Sequence, residues 1–219
     1  LMLVIPAVTI FLSLVFAFIL TQGQLKEKSF YRTVFFFPSI VSMTVVGIVW
    51  SFVFNPTRGI LNHMLDLFHF STWKHAWLGE GKTALWCIGA ALVWQAIGYY
   101  MVMYMSSMSS IPENLYEAAS LEGASKVRQF FMITLPLIWD NIRTTLTFFV
   151  ISTINLSFMF VQLTSEGNLG SEVALNYMYN NAFAGKYGFG MAVGVCIFVF
   201  SFALSAIINK VTERDILQY

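Results

Sequence analysis

The sequence predicts an all-α membrane protein with five transmembrane helices, and three observations carry that reading. Of its 219 residues, 58% are hydrophobic and 11% charged, whereas about a quarter of an average soluble domain is charged. The mean hydropathy is +0.71. The charges fall in clusters that leave stretches 1–25, 33–57, 83–112, 144–165 and 187–209 free of them. Each is long enough for a helix to cross about 30 Å of hydrocarbon, which takes ~20 residues. Spans are expected near 1–21, 34–54, 84–107, 138–163 and 188–210, in one transmembrane domain covering 1–219.

The net charge is +1, so nothing points to nucleic acid. Cys87 and Cys196 lie inside apolar runs and read as small buried side chains, with no disulfide framework or metal site. Five spans define two sets of alternating loops. One set holds Lys26, Lys28, Arg32, Lys126, Arg128, Arg143, Lys210 and Arg214; the other holds Arg58, Lys74, Lys82 and Lys186. Positive charge favours the cytoplasm, so the segment 108–136 and the C-terminus are expected inside. The loops 55–82 and 164–186 are then expected outside, with Leu1.

The first span, with Pro6 near its start, is apolar all round. The second begins at Phe35-Phe36-Phe37-Pro38, and Pro38 is expected to kink or start a helix. Trp50 and Phe52 lie near the outer boundary, where aromatic residues anchor. In the loop 55–82, Asn62 to Phe70 reads as a short interfacial helix with Leu61, Leu65 and Phe68 on one side, and Trp73 and Trp77 at headgroup level. His63, His69 and His75 are spaced by six and share no helical face, so no metal is expected. Gly81-Lys82-Thr83 resembles the end of a phosphate-binding loop, but Ala76 stands where that motif needs its first glycine.

The third span carries Trp94, Gln95, Gly98, Tyr99 and Tyr100 at mid-depth; the fourth carries Ser152, Thr153, Asn155 and Ser157. Uncharged polar groups in hydrocarbon turn toward the bundle or a wet cavity. Aromatic rings beside amides and hydroxyls suit a sugar, the rings covering C–H faces and the amides bonding hydroxyls. Hydrogen bonding between helices accounts for the same residues equally well. Gly190 and Gly194, four apart, offer a small-residue face for close helix contact, within the chain or with a partner.

Between the third and fourth spans lies a polar segment, Glu117 to Pro136, which reads as two short helices joined at a glycine. Ser110 and Glu113 stand three apart, as in a capping box, with Pro112 in the first turn. Gly123 is a natural stop, and Ser125 is placed to cap a second helix through Phe131. Pro136 then opens the next apolar segment. Leu115, Ala118 and Ala119 share a compact face suited to a groove on another protein.

Glu117-Ala118-Ala119, three residues, Gly123, nine residues, then Ile133-Thr134-Leu135-Pro136 resembles the EAA loop of ABC-importer permeases, complete in spacing. Phe54-Asn55-Pro56 and Gly59-Ile60-Leu61-Asn62 resemble an outer segment of the carbohydrate branch, the maltose and multiple-sugar permeases. The resemblance covers about 30–219. It implies a type I importer bundle whose core has six helices, the sixth preceding Leu1, in a bacterial plasma membrane. It implies a coupling helix, with Glu117 facing a basic residue of an ATP-hydrolysing subunit and Gly123 allowing the turn. It makes the partners two ATPase subunits, a second related permease and an extracytoplasmic solute-binding protein docked on the outer loops. ATP and magnesium belong to the ATPase, so this chain carries no cofactor and no catalytic residues. In that family the sugar contacts come from the third and fourth spans. Tyr99 matches a contact tyrosine, Trp94 a tryptophan of the same helix, and Ser152, Thr153 and Asn155 a region rich in asparagine. Gln95 departs from an aliphatic position. Thr164-Ser165-Glu166-Gly167-Asn168 is a weaker version of the family's Thr-x-Gly-Gly-Pro turn.

The expected function is a sugar-importing permease subunit, the cargo a disaccharide or oligosaccharide, or alternatively another solute such as glycerol phosphate. An ion-coupled transporter places ionisable groups inside the membrane, and no span here has one in its core. Paired carboxylates and His/Cys constellations, which a membrane enzyme needs, are also missing from the spans.

Overall fold

A computed structural model describes residues 3–23, 26–164 and 172–213. The expected turn at Gly167 and Asn168, and the tail from Arg214 onward, lie outside the described residues. Among the described residues, four helices are long and apolar enough to cross a membrane: α1 (Val4–Gln22), α5 (Gly81–Ser109), α9 (Trp139–Thr164) and α11 (Tyr187–Val211). Their bounds fall close to the expected spans because the charge-free lengths already fix them.

The second expected span is not one straight helix. It is a pair, α2 (Lys28–Ile40) and α3 (Met43–Val53), whose axes differ by 98°. The break is not at Pro38, which lies buried inside α2. It falls at Val41 and Ser42, both extended, where Ser42 Oγ accepts the Val45 N–H at 3.4 Å and starts a new helix. A serine cap outcompetes continuation of a helix that Pro38 has already deprived of a hydrogen bond.

The remaining helices are short: α4 (Ile60–Leu67), α6 (Glu113–Leu121), α7 (Lys126–Gln129), α8 (Leu135–Leu137) and α10 (Ala174–Phe183). A single 3-10 turn spans Ser71–Trp73, and a π-helical turn, Phe130–Thr134, joins α7 to α8. Helix α5 is the axis of the bundle. It packs against α1 and α2, and then α9, which also contacts α3 and α11. Ile88, Leu92, Met101, Tyr104, Phe149 and Phe160 are fully buried around it. Ser13 Oγ donates to the Ile97 carbonyl at 2.8 Å, tying α1 to α5. Helix α11 touches mainly α10, and leaves Met191, Val195, Phe198 and Phe202 on one exposed apolar face.

The loop 55–82 is organised by Asn62, which is 5% exposed. Its Nδ2 donates to the carbonyls of Pro56 and His75, and its Oδ1 accepts from Trp77 Nε1 at 2.7 Å. Trp77 is therefore tied into the loop and half-buried, whereas Trp73 is exposed. Leu61 and Leu65 are half-buried, and Ile60, Met64, Leu67 and Phe68 form the exposed apolar side of α4. Asn55 Oδ1 accepts the backbone N–H groups of Thr57 and Arg58. A side chain at Gly59 would overlap the Asn55 backbone. Among the described residues, no group of His, Cys, Asp or Glu could hold a metal.

Candidate functional site

Midway along the bundle, α5, α9 and the end of α2 enclose a cavity of about 390 Å³, a size common for small-molecule sites. Helix α5 contributes Gln95, Ala96, Tyr99 and Tyr100 at i, i+1, i+4 and i+5, one helical stripe. Helix α9 contributes Phe148, Phe149, Ser152, Asn155 and Leu156, again one stripe. Ser39 enters from α2, two residues before the chain breaks. Irregular backbone at membrane depth is tolerated where it lines a cavity.

The lining has two kinds of surface. Tyr100 packs on Phe149 with ring centroids 4.7 Å apart, and Tyr99 stands edge-on to Tyr100 at 5.3 Å. The hydroxyls of Ser152 and Ser39 donate to carbonyls of their own helices, Phe148 and Phe36, leaving their lone pairs to accept. The side-chain amides of Gln95 and Asn155 take no partner among the described residues, and Tyr99 is 46% exposed. None of the lining residues carries a charge.

Four of the expected contact residues, Tyr99, Gln95, Ser152 and Asn155, meet in this cavity. Two do not. Trp94 is turned about 100° from Gln95 around the helix and stands edge-on to Trp50 at 5.6 Å. Thr153 is buried, its Oγ1 donating to the Phe149 carbonyl at 2.7 Å. Tyr100, expected at mid-depth though not as a contact, and Ser39, Phe148 and Phe149, which were not expected, also line the cavity. Three of them share the helical stripes of Gln95–Tyr99 and Ser152–Asn155, which a four-residue spacing count would have exposed.

The two walls are pinned to each other between the cavity and α6. The Tyr104 hydroxyl and Thr145 Oγ1 lie 2.6 Å apart, both buried, and Asn141 Nδ2 donates to Ser107 Oγ. From Tyr99 to the end of α5 is ten residues, about 15 Å. The segment between Ser110 and Ile138 therefore joins the ends of the two cavity walls directly.

In that segment Gly123 adopts φ +77°, and the Ala124 N–H bonds back to the Ala119 carbonyl, closing α6. Ser125 Oγ caps α7 through the Arg128 N–H. The start differs from expectation. Ser110 Oγ donates to Ser107, closing α5, and Pro112 takes the cap position without a side-chain bond. The second helix is also shorter than expected, passing into the π turn at Phe130. Pro136 lies in α8, one turn before α9 begins.

Gln129, 6% exposed, holds the two helices together. Its Nε2 donates to Ser120 Oγ at 2.8 Å and to the Ala124 carbonyl at 3.1 Å. Tyr116 bonds Thr134 Oγ1 at 2.9 Å. These contacts turn Leu115, Tyr116 and Ala119 inward, so Leu115 and Ala119 are not on the outward face. That face is Asn114, Glu117, Ala118 and Leu121, at i, i+3, i+4 and i+7, all exposed, with Leu121 at 91%.

The chain matches, over residues 1–218, the family model described as "binding-protein-dependent transport system inner membrane component". It is 35% identical over 205 residues to the probable ABC transporter permease protein YurN of Bacillus subtilis, covering 90% of this chain and 68% of that protein. It is 31% identical over 224 residues to the diacetylchitobiose uptake system permease protein NgcF of Streptomyces coelicolor, covering 95% and 63%. The chain thus spans about two thirds of the length of these relatives. Its fold is that of a chain in the crystal structure of a bacterial alginate ABC transporter in complex with an alginate pentasaccharide-bound periplasmic protein. The TM-score is 0.85 at 19% identity, covering 97% of this chain and 76% of that one. The chain belongs to the family of inner membrane components of binding-protein-dependent transport systems.

Proposed function

We propose that the chain is the permease subunit of an ATP-driven sugar importer and that its cargo is a neutral oligosaccharide. The observation that carries this reading is the placement of an aromatic and uncharged polar cavity between the two helices that flank α6. The rings of Tyr99, Tyr100 and Phe149 suit the C–H faces of a sugar, and Gln95, Asn155, Ser152 and Ser39 suit its hydroxyls. A phosphate or carboxylate cargo needs Arg or Lys donors, and the lining has neither. That chemistry favours a diacetylchitobiose-like cargo over an alginate-like or glycerol phosphate one.

In this reading α6 and the C-terminus lie in the cytoplasm of a bacterial cell, and the chain pairs with a second permease. Two ATPase subunits, which carry the ATP and magnesium, clasp the two coupling helices. Glu117, Ala118 and Leu121 seat on the ATPase, while Ala119 and Gln129 fix α6 to its own loop, and Gly123 and Pro136 shape that loop. Closure of the ATPase dimer swings α5 and α9 as a unit, because Tyr104–Thr145 and Asn141–Ser107 tie them. The cavity then opens outward to a docked binding protein and accepts its sugar; hydrolysis resets it. The chain does no covalent chemistry.

The test is the ATPase rate of the purified complex when the binding protein is supplied with single sugars. Neutral oligosaccharides are expected to stimulate it and uronates or sugar phosphates are not. Stimulation by anionic cargo alone contradicts the cargo assignment.

A further inference from the structure

A second hollow, of about 260 Å³, lies away from the sugar cavity, between α1 and the α7–α8 stretch. Phe11, Leu14 and Phe18 form one wall, and Val127, Phe130 and Phe131 the other. Phe18 and Phe130 close its back, with ring centroids 4.7 Å apart. Phe11, Val127 and Phe131 are 65%, 58% and 58% exposed, so the hollow is a groove open to the side. It runs along α1 for seven residues, about 10 Å, and stops roughly one turn short of the helix end at Gln22.

At that end the chemistry changes. Lys126 Nζ donates to the Gln22 carbonyl at 2.9 Å, and Lys28 Nζ to the Thr21 carbonyl at 3.2 Å. Two ammonium groups from different helices therefore converge on the last turn of α1, drawn by its unpaired carbonyls and negative dipole end. Lys26 and Arg128 are exposed nearby in sequence, against two neighbouring acids, Glu27 and Glu122. Each lysine keeps further N–H donors for an outside acceptor.

We infer that this groove is a binding site for an anionic phospholipid, with an acyl chain along Phe11, Phe18, Val127 and Phe131 and the phosphate on Lys28 and Lys126. Charge complementarity selects this occupant. A polypeptide helix in the bilayer presents an apolar side to such a groove and nothing to its doubly cationic mouth, whereas an anionic lipid fills both. The site bridges α1 to the half of the α6–α8 segment that carries α7, so the lipid would brace that segment against the bundle. The inference does not depend on the cargo.

The experiment uses the importer complex purified from its native membrane and exchanged into nanodiscs of equimolar phosphatidylcholine and phosphatidylglycerol. Native mass spectrometry counts the lipids that stay bound. Phosphatidylglycerol is expected to be retained in preference. The pair Lys28→Gln with Lys126→Gln should weaken that preference by about thirtyfold, while Lys28→Arg with Lys126→Arg keeps it. A photo-crosslinking residue at Val127 in otherwise unaltered protein should capture lipid, and this readout stands even if the glutamine pair fails to assemble. Equal retention of the two lipids, an unchanged preference in the glutamine pair, or capture of polypeptide at Val127 would each overturn the inference.

Discussion

Gly98 on α5 lies directly against the backbone of Phe35 on α2, so that a side-chain carbon at Gly98 would overlap the Phe35 carbonyl. Phe35 is one turn from Ser39, and Gly98 adjoins Tyr99. The contact thus sets how near α2 comes to α5 and how wide the cavity is. Gly98→Ala is expected to push α2 outward at a cost of about 1–3 kcal/mol. Thermal unfolding of the complex and its apparent sugar affinity should both fall. Wild-type values for both would show that the close approach is not needed.

The exposed face of α6 makes a separate prediction. Glu117→Lys and Leu121→Asp alter side chains that touch little within the chain, so insertion and cavity shape should be unchanged. ATP-driven uptake should drop at least about tenfold, the effect of losing ~1.4 kcal/mol at a docking contact. Leu115→Ala, on the inward face, should instead lower the stability of the segment. Normal uptake by Glu117→Lys would remove the face from the coupling surface.

Much of this architecture was legible in the residue order, and the misses have physical causes. Span lengths follow from charge spacing, and Gly123 and Ser125 mark their turns because a positive φ and a helix cap each have few suitable residues. The α2–α3 break was misplaced because Pro38 is the obvious breaker, whereas Ser42 acts through a bond to Val45 that no composition count weighs. Trp94 and Thr153 were expected from residue type and from the family resemblance, neither of which fixes the direction a side chain takes around its helix. A threonine in an apolar helix can satisfy itself on the carbonyl four residues back, as Thr153 does with Phe149. Which way a helix faces is decided by its neighbours, and Tyr100 and Phe149 are cavity residues only because α5 and α9 meet there.

That distinction can be measured. Thr153→Val keeps the shape and removes a hydroxyl bonded within its own helix, so sugar affinity should change by less than about threefold, under ~1 kcal/mol. Tyr99→Ala removes a ring from the cavity and should weaken affinity by about tenfold or more. Equilibrium binding to the outward-open complex compares the two. Equal effects would mean that the cavity residues have been wrongly divided.

Asn62 governs the loop 55–82. Asn62→Ala leaves the Pro56 and His75 carbonyls and Trp77 Nε1 without their partner, at a cost of about 1–3 kcal/mol. Hydrogen exchange should quicken across 55–82 while α5 stays protected. Nearby, the Asp66 carboxyl is held below its ordinary value chiefly by its bond to Lys74. A depressed carboxylate stabilises above its unfolded pKa, so this tie should persist at neutral pH and be lost only as the pH falls through the acid range.

The central claim is that force applied at α6 moves the walls of the cavity, and its most direct test is the energy source for transport. Labelled neutral oligosaccharides would be presented with the binding protein to proteoliposomes holding the whole complex. One set would contain ATP, and the other only an imposed proton or sodium gradient. Uptake that requires ATP and the binding protein, and that disappears in Glu117→Lys, is the predicted result. Uptake driven by the gradient alone would contradict it.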